Sequence, residues 1–293
     1  MLVSIIIGNY NYGHFVAEAI ESALGQSYRD IEVIVIDDGS TDDSRGVIDR
    51  FGDRIKRIYV RNGGHAEVFN IGFRASSGQI ICMLDADDYF FPSKVERVVS
   101  LYREHPEAEF VFHALNRVDA TGAVLGREPR TANGQMIGHQ KSRFFHAPPT
   151  TGTTYRREFL ERIFPVPKPA FMGADNFTKF AAMATTQGYY SPEVLGVLRL
   201  HGSNHGSMGM PVERLLPHDA GIALALHQRL PHLRNTERLM GISFARYWLL
   251  RPRSARVREM LDEYLSGLPI SRRIRLFSFA LLFYLKRRVR GNS

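Results

Sequence analysis

Asp85, Asp87 and Asp88 place three carboxylates in four positions, directly after the apolar run "IICML". Like charges that close raise one another's pKa unless a cation lies among them. Paired carboxylates at the end of a strand suit a hard divalent cation. In extended chain, side chains alternate faces, which sends Asp85 and Asp87 to one side and Asp88 to the other. The plainer reading makes Asp88 the cap of a following helix and leaves Asp85 and Asp87 as solvated turn residues. Two further apolar runs also end in polar clusters. Residues 2–7 lead into Gly8, Asn9, Tyr10 and Asn11, and residues 31–36 into Asp37, Asp38, Gly39 and Ser40. Tyr10 offers a ring face to a nucleobase, and Asp38 can accept a hydrogen bond from a base or sugar group. A turn with an Asx cap is the plainer reading of Asp37 and Asp38.

The elements that must position these groups are legible along the first 115 residues. Buried strands are expected at residues 2–7, 31–36, 55–60, 79–84 and 110–113. Helical spacing fills the gaps, at 15–24, at 66–75 and from Pro92 to about residue 104. Ser40 or Thr41 is expected to cap a helix carrying Val47 and Ile48. Such alternation implies a parallel sheet covered on both faces. Ligands bind beyond the carboxyl ends of strands in such sheets, where all three polar clusters fall. Residues 116–150 read as a long loop with a short hairpin. Residues 176–187 look helical, 194–200 extended, and several helices are expected over 211–290.

Four ordered stretches, "VSIIIGNYN", "IEVIVIDDGSTDDS", "NGGHAEVFNIGF" and "GQIICMLDADDYF", resemble the successive signatures of family 2 glycosyltransferases of the GT-A fold. The match spans about residues 2–100, with weaker matches to about 205. Gly8 stands where the family commonly has Pro, and His65 where Gln is frequent. The resemblance implies a Rossmann-like, mostly parallel α/β sheet flanked by helices. It divides the chain into a glycosyltransferase domain at 1–205 and a helical, basic extension at 206–293. Within the domain, 1–115 would be the nucleotide-binding half and 116–205 the acceptor half.

By this resemblance a nucleotide-sugar donor lies across the sheet edge. Asp38 would meet the base, with Gly8, Tyr10, Gly64 and His65 around it. Asp85, with Ala86, would meet the ribose side. Asp87 would ligate Mn²⁺ or Mg²⁺ together with the diphosphate. "VLRLHGSNHGS" matches an Arg-x-His motif, so Arg199 is expected at the phosphates, His201 at the metal, and His205 as an assistant. "FMGADNF" matches the position of an acidic pair, reduced here to Ala174 and Asp175, with Asp175 as catalytic base. Its plainer reading is an N-cap. One base without a second carboxylate nucleophile implies inversion. The expected donor is a UDP-sugar, and the acceptor a glycan or lipid-linked hydroxyl in cell-surface polysaccharide synthesis. A nucleotidyltransferase and an inactive nucleotide-binding scaffold are the rival readings. Residues 148–160 either line the acceptor side, through Thr150, Thr151, Thr153 and Thr154, or form an edge strand.

Charge separates the tail from the body. Residues 250–293 hold eleven Arg or Lys against Glu259, Asp262 and Glu263, which is the whole net charge of +8. The body is therefore balanced, and the tail's cations flank Phe and Leu, which argues against a nucleic-acid partner. "SRRIRLFSFALLFYLKRRVR" has an apolar centre, Leu276 to Leu285, that is too short to span a bilayer. It suits either a helix packed on the domain or a second subunit, or one lying in an anionic membrane surface. The single cysteine, Cys82, lies in an apolar run and reads as a core residue. No leader is evident, and a cytoplasmic setting, at the membrane face or free, is expected.

Overall fold

A computed structural model describes residues 1–119, 121–128, 134–138, 147–171, 173–202, 212–233, 236–250 and 255–290. The chain forms two compact units, residues 1–165 with 178–204, and residues 166–177 with 205–293. Compared with a single cut after residue 205, the second unit also takes in 166–177.

The first unit is built on one sheet with helices on both faces. Its strands are β1 (Val3–Asn9), β2 (Ile31–Asp37), β3 (Lys56–Tyr59), β4 (Ile80–Asp85), β5 (Tyr89–Phe90), β6 (Phe110–Val118), β7 (Val124–Glu128), β8 (Gln135–Gly138), β9 (Thr153–Arg156) and β10 (Gln187–Arg199). The order is β3-β2-β1-β4-β9-β6-β10-β5, with β7 on β6 and β8 on β10. Helices α1 (Val16–Leu24), α2 (Ser44–Asp49), α3 (His65–Ala75), α4 (Lys94–Glu104) and α5 (Arg157–Ile163) belong to this unit, and α6 (Ala174–Thr185) passes from the second unit into it.

The strand period explains the two layers. Val3, Ile5, Ile7, Val33, Val35, Ile80, Cys82 and Leu84 pack with the apolar sides of α1, α2 and α4 in one cluster. Ile6 and Ile36 point the other way and meet α3, where a Cβ on Gly72 would lie 2.5 Å from Ile6 Cγ2. Strands apolar on both faces are thereby buried on both faces. Cys82 is buried, as expected of a core residue.

Two expectations need correction. Strand β9 lies between β4 and β6, antiparallel to both. The threonine-rich stretch is consequently not an edge strand, and Thr150, Thr151, Thr153 and Thr154 are buried. Thr154 Oγ1 donates to the Val111 carbonyl at 2.8 Å and Thr153 Oγ1 to that of Thr150 at 2.7 Å. With its hydroxyls bonded to backbone, a polar stretch can occupy a sheet centre. Ser40 does not cap α2, whose N-cap is Asp43. The Ser40 hydroxyl instead donates to Asp37 Oδ2 at 2.6 Å.

A buried polar group in this core has a measurable effect. His113 is fully buried, with Nδ1 3.0 Å from the Ala114 carbonyl and Nε2 without a hydrogen-bond partner. Burial, reinforced by the charge of Lys94, pushes its pKa down to about 3. Lys94 is itself buried, its Nζ 3.9 Å from the centroid of Phe90. The folded-state pKa of His113 lies below the unfolded value, so the unfolded chain takes up the extra proton between the two. Stability is therefore full above about pH 6.5 and falls as pH drops towards 3, by roughly 2–3 kcal/mol at pH 4.5. Urea melts of the wild type and His113→Gln at pH 7 and 4.5 should show that loss in the wild type only; equal losses would refute it.

The second unit holds α7 (Val212–Arg229), α8 (Thr236–Leu250), α9 (Ala255–Ser266) and α10 (Ile270–Arg290). Leu216, Leu224, Met240, Val257, Tyr264 and Leu276 form its core. Close approach of α8 and α10 depends on a glycine, since a Cβ at Gly241 would lie 2.7 Å from Phe279 Cδ1. Among the described residues no helix is long and apolar enough to cross a membrane.

Candidate active site

Register brings the polar clusters together. Parallel pairing sets Asn9 against Asp37 and Gly8 against Asp85, so the ends of β2, β1 and β4 lie side by side. At the β1 end, Asn9 Nδ2 donates to Asp37 Oδ2 at 2.7 Å and to Ser40 Oγ at 3.1 Å. This braces the two loops and leaves Tyr10 partly exposed. Gly8 faces α3: a Cβ there would meet Val68 Cγ1 at 2.8 Å. The close strand–helix contact accounts for a residue without a side chain.

Asp38 is buried and holds a turn. Its Oδ1 accepts from Gly63 N at 2.7 Å and its Oδ2 from Gly64 N at 2.9 Å. Gly64 has φ +81°, a left-handed conformation that glycine adopts without Cβ strain. Burial raises the Asp38 pKa, and the two N–H donors oppose that rise. Each carboxylate oxygen has a second lone pair for a ligand donor. His65 opens α3 with its ring edge-on to Phe69, centroids 4.5 Å apart.

The acidic stretch is arranged differently from the alternation read in the sequence. Asp88 N donates to the Asp85 carbonyl at 3.1 Å, so residues 85–88 form a turn and the two-residue alternation stops at Asp85. Ala86 is buried inside it. Asp88 is not a helix cap. Its Oδ2 accepts from the Thr151 hydroxyl and its Oδ1 from Arg199 N at 2.9 Å. Burial, then the charges of Asp87 and Asp85, raise the Asp88 pKa well above the carboxylate norm.

Asp87 and His201 meet. His201 Nε2 lies 3.1 Å from Asp87 Oδ2, and both side chains are largely buried. The imidazole stacks on Phe15 at 4.7 Å and presents its edge to Tyr12 at 5.7 Å. Arg199 Nε donates to the Asp87 carbonyl at 3.1 Å, while Nη2 pairs with Glu18. Its guanidinium lies 5.2 Å from the Phe15 ring centroid and 5.5 Å from that of Tyr89. A planar, permanently charged group held between rings suits a phosphate.

Among the described residues, no three His, Cys, Asp or Glu side chains form a metal cluster. Asp87 and His201 are two adjacent donors of types that bind divalent metals. A hard divalent cation commonly takes its other ligands from substrate phosphates and water. The donor set therefore fits a cation that arrives with, and is completed by, a diphosphate.

Asp175 lies in the first turn of α6, half-buried, in the second unit. Phe177 N donates to the Gly173 carbonyl at 2.8 Å, so the helical bonding starts at Gly173, and Asp175 is inside the helix rather than its cap. His205 lies outside the described residues. Sequence reasoning missed Glu18 and Phe15, which carry no motif signal, and it placed Thr151 on the acceptor side or in an edge strand without its bond to Asp88.

A mixed sheet flanked by helices, with acidic and phosphate-compatible groups at the carboxyl ends of its first strands, defines the GT-A class of glycosyltransferase fold. Solved structures agree. The Staphylococcus aureus TarS 1–349 structure in complex with UDP has a TM-score of 0.67 at 16% identity, covering 95% of this chain and 83% of that one. A Pyrobaculum calidifontis mannosyltransferase, in complex with GDP-Man and Mn²⁺, has a TM-score of 0.53 at 18% identity over 96% and 79%. At the sequence level, an uncharacterized glycosyltransferase of Nostoc sp. is 34% identical over 217 residues, 70% of this chain and 66% of the relative. One of Rickettsia prowazekii is 40% identical over 100 residues, 34% of this chain and 31% of the relative. The chain thus spans less than two thirds of the length of these curated relatives. The family model described as Glycosyl transferase family 2 matches residues 4–164. The chain belongs to glycosyl transferase family 2.

Proposed function

We propose that this enzyme transfers a sugar, with inversion, from a UDP-sugar to a hydroxyl of a glycan or lipid-linked acceptor in cell-surface polysaccharide synthesis. The observation that carries the reading is the contact of Asp87 with His201, 114 residues apart in sequence, beside Arg199. The UDP bound by TarS supports the choice of base, and the Mn²⁺ of the mannosyltransferase supports a divalent metal. In this reading residues 1–205 are the transferase domain and 206–293 its extension. The lone buried Cys82 accords with a reducing, cytoplasmic setting.

Asp38, itself held by the Gly63 and Gly64 N–H groups, accepts from the base, with Tyr10 against the ring face and His65 at its edge. Asp85 and the Ala86 backbone hold the ribose. Asp87 and His201 hold a divalent cation, which when bound neutralises charge developing on the leaving diphosphate. Arg199 exchanges its Glu18 partner for a diphosphate oxygen and adds a second positive charge there. Asp175 takes the proton of the acceptor hydroxyl, which otherwise is a weak nucleophile near neutral pH. Because the oxygen attacks as the diphosphate departs, the anomeric centre inverts.

A thermal-shift panel of nucleotide-sugars, with and without Mn²⁺, tests donor and metal together. A UDP-sugar should raise the melting temperature several degrees with Mn²⁺ and much less without it. NMR of the product formed from that donor should show the opposite anomer. A metal-independent shift, preference for another base, or retention would each overturn the corresponding part.

A further inference from the structure

Helix α10 has two apolar faces, and only one is covered within its unit. Leu276 and Ala280 are fully buried in the helical core. On another side Ile270, Ile274, Phe277, Leu281 and Leu285 are 74%, 62%, 38%, 50% and 47% exposed. Their spacing of four, three, four and four residues confines them to an arc of about 80° along about four turns. Phe277, at the margin, also touches Phe244. Leu282, 61% exposed, widens the patch. A globular helix ordinarily shows one such stripe, and single exposed apolar residues are unremarkable, whereas a continuous run marks an interaction surface.

Charge identifies the occupant. Residues 250–293 carry the entire excess of +8, and α10 contributes Arg272, Arg273, Arg275, Lys286, Arg287, Arg288 and Arg290 without one acidic residue. A second copy of so basic a helix would bring like net charge against like. An anionic lipid surface supplies hydrocarbon for the stripe and phosphate for the cations. We propose that α10 lies in the plane of an anionic membrane surface, its outer stripe inserted among the acyl chains and its inner face retained by α8. The inference is independent of the glycosyl-transfer reading, and its test uses no donor.

The full chain should co-sediment with vesicles of phosphatidylcholine and phosphatidylglycerol at 7:3, and bind pure phosphatidylcholine about tenfold or more weakly. The double variant Ile274→Gln/Leu281→Gln replaces two exposed side chains without adding charge. It should bind the anionic vesicles about 100-fold more weakly, with an unchanged helical circular dichroism spectrum. Three results would overturn the proposal: no binding by the wild type, equal binding by the variant, or a wild-type dimer in light scattering that the two substitutions convert to monomer. Should the variant lose helix content, the contrast between anionic and neutral vesicles, measured on the intact chain, decides alone.

Discussion

Asp175→Asn should lower kcat by about 10²–10⁴ while changing the affinity for a UDP-sugar and Mn²⁺ less than about threefold. The substitution keeps the shape of the side chain and removes its basicity. Asp175 belongs to the first turn of α6. In the proposed role the carboxylate takes the acceptor proton as the glycosyl bond breaks, with the leaving diphosphate already stabilised. Loss of the carboxylate should therefore appear in kcat and leave the donor-induced rise in melting temperature intact. A variant that retains transfer within tenfold would remove Asp175 from the mechanism. A wild-type protein that binds donor but never transfers would point to an inactive scaffold.

Asp87→Ala should abolish the Mn²⁺-dependent part of UDP binding and lower kcat/KM by about 10²–10³. Asp87 Oδ2 is in contact with His201 Nε2, and the Asp87 carbonyl receives Arg199 Nε. Truncation removes the carboxylate ligand but keeps the backbone contact to Arg199, so binding of UDP without metal should survive. Titration calorimetry of UDP into wild type and variant, in Mn²⁺ and in EDTA, separates the two terms. If the variant retained the wild-type response to Mn²⁺, the cation would have to be held elsewhere.

Residue type and period were enough to locate the first four parallel elements. Ile5, Ile7, Val33, Val35 and Cys82 belong to runs so apolar that only a doubly covered sheet can accept them. The carboxyl-edge position of Asp37, Asp38 and Asp85 followed from that alone. The conformation after Asp85 was not legible, because a turn closed by one backbone bond to Asp88 N leaves no trace in hydrophobic period. β9 was hidden for a chemical reason: threonines bonded to Val111 and Thr150 carbonyls look hydrophilic yet occupy the sheet interior. The partnership of His201 with Asp87 depended on a motif match, since local pattern carries no information about a contact across 114 residues. For α10, the sequence showed Phe and Leu flanked by cations but not which arc is covered.

Asp88 joins the turn after β4 to Thr151 and to the main chain at Arg199, and β9 lies between β4 and β6. A nascent chain emerging from the ribosome can therefore pair its first strands early, but the Asp88 carboxylate lacks its last partner until residue 199 has been translated. Closure of the Asp88 junction is then one late event of high contact order, and a fragment ending near residue 115 would lack it.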